Sequence, residues 1–352
     1  MANTASSAKV LRVAVIGAGG IAGTHMNYLS KMADVKLVAA SDVREESLAK
    51  VKEQFKLEAT YTDWNELLKR GDIDAVSVCT PNGLHKQPSI DALNAGCHVL
   101  VEKPIAMNAT EGEEMLAAAK KNGKQLVIGF QWRFHQTAQM IKRAADEGMF
   151  GKILFVRSQA LRRRGIPNWG VFGRKDLQGG GPMIDIGVHN MEMCHYIMGS
   201  PKPVAASGKI HTYLGDKPSN IESSWPNWDW KSYTVEDLAV GHITFENGAV
   251  MHVEASFAMH GKDVWNFTMM GEKGGCQFDP PQLFRDEAGT MYDMTPAFQP
   301  KRDMFEIKMR AFVDTALYGK PSPAPAEHGV MVQKMIDGIY ASSAAGREVT
   351  IA

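Results

Sequence analysis

Cysteine is scarce in this chain, and so is any arrangement of it that would do chemistry. Cys79, Cys97, Cys194 and Cys276 are scattered through 352 residues with no Cys-x-x-Cys spacing. Cys79 and Cys97 fall in apolar, strand-like runs, where thiols commonly act as small hydrophobes, so a reducing, cytoplasmic compartment is expected. His189 and His195 stand six apart, off a common helical face, and no His-Glu-x-x-His or Cys/His cluster occurs, so no metal site is expected. A nucleophile elbow and a P-loop are also missing, which argues against acyl and phosphoryl transfer. No apolar run reaches bilayer length. The first ten residues are polar, without the apolar segment of a secretory leader.

Net charge is absent too. The 39 basic and 39 acidic side chains cancel, and the one basic cluster, Arg162-Arg163-Arg164, is short. Neither a nucleic acid nor an anionic membrane is expected as a partner. Apolar residues at 44% and charged residues at 22% suit a soluble globular protein, and the length suits two domains.

What is present is a glycine turn. Residues 11–16 form an apolar run that enters Gly17-x-Gly19-x-x-Ala22. Gly17 permits a tight turn, Gly19 and its neighbours Gly20 and Ile21 bring backbone close to a diphosphate, and Ala22 allows close helix–strand packing. A helix N-terminus there would offer free N–H donors. A second strand, 35–41, ends at Asp42, 23 positions after Gly19, where a ribose diol would take a carboxylate partner. The plainer alternative is a tight turn plus a surface aspartate. Asp42 would repel a 2′-phosphate, so NAD is expected over NADP, while Arg44 could stack on adenine or offset that repulsion.

Up to about residue 130 the pattern alternates strands and helices, predicting a doubly wound parallel sheet over residues 1–131. Helices are expected at 24–30, 45–55, 64–69, 85–95 and 109–122, with strands at 59–61, 74–80, 98–102 and 125–130. Residues 132–352 read as an α+β domain with a large, mostly antiparallel sheet. Its helices fall at 137–147, 181–198, 303–318 and 328–345, and its strands at 153–160, 204–210, 234–245, 249–258, 265–270 and 275–278. Residues 216–230 read as a long loop.

Three features sit where a substrate would meet a nicotinamide. Glu102-Lys103-Pro104 follows a strand at the carboxyl edge of the parallel sheet, where ligands gather. Lys103 either stabilises an alkoxide there or is a solvated loop lysine. Asp185 and His189 lie four apart after Gly179-Gly180-Gly181-Pro182, which places them on one helical face. They are an acid–base pair with the carboxylate orienting the imidazole, or a surface ion pair. The glycines would let backbone approach a ligand. Thr80, Asn82 and His85 follow another strand and contact the cofactor, unless His85 merely starts a helix.

Taken together with Arg133-Phe134 and Ala95-Gly96-Cys97-His98, these motifs resemble the glucose–fructose oxidoreductase / inositol dehydrogenase (Gfo/Idh/MocA) family over nearly the whole chain. The resemblance implies NAD(P)-dependent redox chemistry at a sugar or cyclitol carbon, with Lys103, Asp185 and His189 in the catalytic places. It implies Glu102 beside the cofactor, Arg133 near the substrate, and a homodimer or homotetramer formed through the outer face of the second sheet. The segment Arg162–Phe172 is similar to members that oxidise C3 of glucosides or anhydrosugars, with Arg163, Asn168 and Trp169 as substrate contacts; otherwise Trp169 cores its own loop. A redox-elimination glycosidase and a non-enzymatic NAD sensor are the competing functions. The chain lacks the twin-arginine signal of periplasmic relatives and the glycine/tyrosine-rich loop of the glycosidase branch.

Overall fold

Apolar strands followed by amphipathic helices build the first half of the computed structural model, which describes residues 9–352; residues 1–8 of the polar N-terminal stretch lie outside the described residues. The elements run β1 (Leu11–Ile16), α1 (Gly20–Leu29), β2 (Val35–Ser41), α2 (Glu45–Phe55), β3 (Ala59–Tyr61), α3 (Trp64–Leu68), β4 (Ala75–Val78), α4 (Lys86–Asn94), β5 (His98–Val101), α5 (Ala109–Asn122) and β6 (Leu126–Ile128). Their six strands form one parallel sheet in the order β3-β2-β1-β4-β5-β6. Strand order reverses between β1 and β4, so the crevice beyond their carboxyl ends is the natural ligand position. Both faces are covered, which is why β1 and β4 are buried almost throughout rather than on alternate residues.

The second half continues with α6 (Gln136–Asp146), β7 (Ile153–Leu161), α7 (Lys175–Gln178), α8 (Val188–Ile197), β8 (Pro203–His211), β9 (Leu238–Phe245), β10 (Val250–Ser256), β11 (Val264–Gly271), β12 (Gly274–Gln277), β13 (Gln282–Glu287), β14 (Thr290–Met294), α9 (Met304–Tyr318), α10 (Ala326–Ala345) and β15 (Val349–Thr350). A nine-stranded sheet forms in the order β14-β13-β12-β11-β7-β10-β9-β8-β15. Only β7 and β10 pair in parallel; the other ladders are antiparallel.

Some elements depart from expectation. Residues 181–198 do not form one α-helix, because a π-turn, Met183–Gly187, precedes α8. The hairpin β13–β14 was not foreseen, since every residue of β14 is solvent-exposed and gives no apolar alternation. The C-terminal helices also return to the first sheet: α9 packs on α1, and α10 on α5. None of the four cysteines is paired, and all are buried. Among the described residues no helix is long and apolar enough to cross a membrane.

Candidate active site

The glycine turn closes as a cradle. Gly17 sits at φ +89°, and a Cβ there would stand 2.7 Å from the Cys79 backbone, so the position excludes any side chain. A Cβ at Gly19 or Gly20 would meet nothing within 4 Å, which leaves open space above the start of α1. No side chain caps that helix, so its first N–H groups remain free for an anion. Asp42 accepts hydrogen bonds from the backbone of Ala18 (2.7 Å) and Arg44 (2.9 Å), which fixes a carboxylate beside the cradle. These residues fit a dinucleotide with an unphosphorylated ribose. They border a cleft of about 700 Å³ that also touches Ile21, Arg44, Thr80, Asn82, His85, Glu102, Lys103, Trp169 and Asp185.

Lys103 leaves the end of β5 and crosses that cleft. Its Nζ donates to the Asp185 carboxylate at 2.9 Å and to the Asp185 carbonyl at 2.7 Å. This contact spans the two halves of the protein and joins the parallel sheet's carboxyl edge to the π-turn. The expected Asp185–His189 pair does not form. Asp185 turns to the ammonium instead, because a charge-assisted bond outcompetes one to a neutral imidazole. His189 lies on the first turn of α8, its ring centroid 6.5 Å from that of Trp132 and 6.2 Å from that of Trp265. Its Nδ1 has no hydrogen-bond partner among the described residues. Burial, and then the Lys103 charge, hold its pKa well below 6.5, so the ring is neutral.

The glycines ahead of the π-turn serve packing, not ligand approach. A Cβ on Gly180 would stand 2.1 Å from the Tyr340 hydroxyl, and one on Gly181 2.1 Å from the Glu236 carbonyl. The buried Glu236 carboxylate accepts from the N–H of Gly181 (2.9 Å) and of Met183 (3.3 Å) and from the Tyr340 hydroxyl (2.8 Å). It thereby fixes the backbone that presents Asp185. Glu236→Ala should therefore lower kcat at least tenfold, a rise of ~1.4 kcal/mol in the barrier, with NADH affinity unchanged. Steady-state kinetics beside a fluorescence titration of NADH check this.

Several expected contacts are corrected by their surroundings. Arg133 is fully buried. It bonds Glu192 at 2.6 Å and the Pro323 carbonyl at 2.9 Å, so it forms a structural ion pair and does not border the cleft. Arg163 is exposed, whereas its neighbour Arg162 is half-buried. Asn168 is likewise exposed and does not border the cleft. Trp169 does border it, and stacks on Trp225 with centroids 5.7 Å apart. His85 borders the cleft, but its ring nitrogens face the carbonyls of Pro104 (2.7 Å) and Thr80 (3.0 Å), so it braces the loops instead of offering a free donor. The Asn82 amide donates to the Gln178 carbonyl (3.0 Å), and the Thr80 hydroxyl to the Leu84 carbonyl (2.7 Å).

Glu102 is part of a buried network that no local motif announces. One carboxylate oxygen accepts from Lys308 of α9 at 2.6 Å and lies 3.0 Å from His25 Nε2; the other accepts from the Lys103 N–H at 3.2 Å. Burial alone would raise its pKa, yet Lys308 and His25 hold it well below 4.5. His25 itself is pushed down to about 4 by burial and then by Lys308, so Lys308 and Glu102 carry the charges. Gln131 is a second residue missed from sequence. It follows β6, borders the cleft and holds its buried Oε1 without a partner among the described residues. The rule that placed Lys103 at a strand's carboxyl end would have found it. Among the described residues no group of three or more His, Cys, Asp or Glu side chains could hold a metal ion.

Comparisons with known proteins agree with this fold. Residues 11–130 match the family model GFO_IDH_MocA, described as an oxidoreductase family with an NAD-binding Rossmann fold, and residues 138–277 match the GFO/IDH/MocA C-terminal domain. The chain is 34% identical to the D-glucoside 3-dehydrogenase of Escherichia coli K12, covering 99% of each chain. It is 30% identical to the myo-inositol 2-dehydrogenase of Thermotoga maritima, over 91% of this chain and 92% of that one. A levoglucosan dehydrogenase solved with NADH and levoglucosan superposes with a TM-score of 0.84 at 25% identity, covering 97% of this chain and 100% of the other.

Proposed function

Because the chain belongs to the Gfo/Idh/MocA oxidoreductase family, we propose that it oxidises a secondary ring hydroxyl of a sugar or glycoside with NAD, the C3 hydroxyl of a D-glucoside being the favoured target. The observation that carries this reading is the Lys103–Asp185 bond, which holds a cation at the wall of the cleft that also contains the glycine cradle and Asp42. The Escherichia coli relative supports the glucoside, and the levoglucosan complex supports a pyranose ring in such a cleft.

Bound NAD supplies the hydride acceptor. Lys103 donates to the substrate oxygen, and its bond to Asp185 fixes the direction of the ammonium before the reaction starts. As that oxygen gains charge, a preorganised cation in a half-buried site stabilises it more than water would. His189, already neutral, takes the hydroxyl proton. Asp185 therefore orients the lysine, not the imidazole. One cation both favours the alkoxide and keeps the imidazole free to accept.

A spectrophotometric scan of NAD reduction against methyl glucosides, anhydrosugars, hexoses and inositols tests the proposal. NADH should accumulate with at least one of them, and product analysis should place the carbonyl at a ring carbon. NADP should serve poorly, because the Asp42 carboxylate beside the cradle would repel a 2′-phosphate. Absence of NADH across the whole panel would refute the reading.

The assembly implied by the fold is a homodimer or homotetramer built on the nine-stranded sheet. One face of that sheet packs on α8 and α10, whereas the other presents Arg157, His242 and Met270 to solvent. Light scattering should give a mass of two or four chains, and a monomer would overturn this arrangement. The four buried free thiols support a reducing, cytoplasmic location.

A further inference from the structure

Arg162 is a charged group near the turn that carries Asp185, and the reading above gives it no role. It follows β7, and its backbone N–H donates to the Ser256 carbonyl at the end of β10 (3.0 Å). The guanidinium lies over Trp225 at 4.7 Å and over Phe257 at 5.8 Å. Phe257 shares a small core with Ile186, the residue between Asp185 and Gly187. Trp225 stacks on Trp169, which borders the cleft. The arginine is thus held between the core of the turn that carries Asp185 and Trp225, one ring behind the Trp169 that borders the cleft.

Its bonding is incomplete. Arg162 Nη1 donates to the Gly165 carbonyl at 3.1 Å, and no carboxylate lies within ion-pair distance among the described residues. None of its nitrogens is sealed from solvent without a partner. A guanidinium has five N–H donors in a rigid fork, so most of this one is unclaimed. Burial lowers its pKa, while the charges of Asp185 and Asp263 oppose that shift. The packing at Gly165 holds the stem in place: a Cβ there would stand 2.5 Å from Arg162 Cδ. Fixing the plane before the ligand arrives removes much of the rotamer entropy that a free arginine would lose.

We propose that Arg162 orients the substrate by pairing its fork with two neighbouring oxygens of the sugar, with Trp225 and Trp169 as the adjoining wall. This rests on the dehydrogenase reading above and adds to it the feature that selects the substrate. The oxygen pair is a vicinal diol of a pyranose ring or the carboxylate of a uronate, since both present two acceptors side by side. Arg163, one residue later and exposed, takes no part.

The test pairs variants with altered sugars. R162M, R162K and R163A are assayed with methyl glucoside, its monodeoxy analogues and methyl glucuronide, and each is titrated with NADH alone. For R162M we expect KM for the best sugar to rise at least tenfold while NADH affinity stays within twofold. The wild type should lose at least tenfold in kcat/KM when one hydroxyl of the paired diol is removed, and R162M should lose almost nothing from the same removal. R162K should resemble R162M, because a point charge does not replace a fork, and R163A should resemble the wild type. Preference for the uronate, abolished in R162M, assigns the carboxylate; preference for the neutral glycoside assigns the diol. Equal sensitivity of wild type and R162M to every deoxygenation and to the carboxylate overturns the proposal. If the wild type turns over none of these sugars, the thermal stability of its NADH complex still decides the matter. A sugar-induced rise present in wild type and lost in R162M supports the pairing, and its absence from the wild type or its persistence in R162M overturns it. The turnover of the wild type thus tests the reaction, and the difference between variants tests the arginine.

Discussion

Lys103→Met is expected to lower turnover by roughly 10²–10³-fold, the loss seen when one preorganised donor to a developing oxyanion is removed, while NADH affinity changes by less than about threefold. Two independent interactions predict the direction. The ammonium bonds Asp185 at 2.9 Å and borders the cleft, so it is directed before the substrate binds. It also depresses the His189 pKa, so its removal should let that imidazole protonate more readily as pH falls. The variant's residual activity should therefore decline at low pH sooner than the wild type's decline. Single-turnover rates and NADH titration over a pH series measure both effects. Turnover surviving within about tenfold, which is only ~1.4 kcal/mol, would remove Lys103 from the reaction. Asp185→Asn, which keeps the shape but loses the charge, should lower kcat in the same direction by loosening the ammonium.

Lys308→Met should destabilise the fold by about 3–5 kcal/mol, the usual consequence of leaving one partner of a buried ion pair uncompensated. Glu102 and Lys308 are each nearly inaccessible, and their charged atoms stand 2.6 Å apart. Without the lysine, the Glu102 carboxylate keeps only His25 and the Lys103 N–H. Its pKa should then rise, since burial is the largest influence on it and would no longer be opposed by that cation. Stability lost by the variant should be partly regained as pH falls and the carboxyl protonates. Adding Glu102→Gln should restore most of the loss, because the pair is then replaced by neutral groups. Denaturant melts of the single and double variants check this. A single variant within about 1 kcal/mol of wild type would contradict a charged, buried carboxylate at Glu102. The network joins α1, β4 and β5 to α9, because His25 Nδ1 also meets Ser77 Oγ at 2.8 Å. Loss of Lys308 should therefore weaken NADH binding as well, which separates it from Lys103→Met.

Much of the first sheet was legible because local rules and tertiary structure agree there. Gly17 needs a positive φ and a bare Cα, and that demand is visible as a residue type. Asp42 and Lys103 follow strand ends, and parallel strands gather their carboxyl ends on one edge. The second half was less legible. Arg162 and Arg163 are equal by composition, and only their surroundings after β7 separate them: Arg162 lies half-buried over Trp225 and Phe257, whereas Arg163 is exposed. Arg133 carries the same charge as any surface arginine, and only its partner Glu192, 59 residues away, shows why it is buried. The triple glycine looked like a ligand cradle, but the bodies it admits are Tyr340 and the Glu236 backbone. No local pattern links residues 180 and 340.

Strand periodicity and the demands that glycine, proline and aspartate place on backbone determined this protein's cofactor cradle and brought forward its candidate reactive side chains. Partner choice was settled elsewhere. Lys103, rather than His189, holds Asp185, and Lys308 holds Glu102, because folding brings distant charges to within hydrogen-bond distance in half-buried or buried surroundings. There the low dielectric strengthens whichever pairing forms, and sequence spacing carries no record of which one it will be.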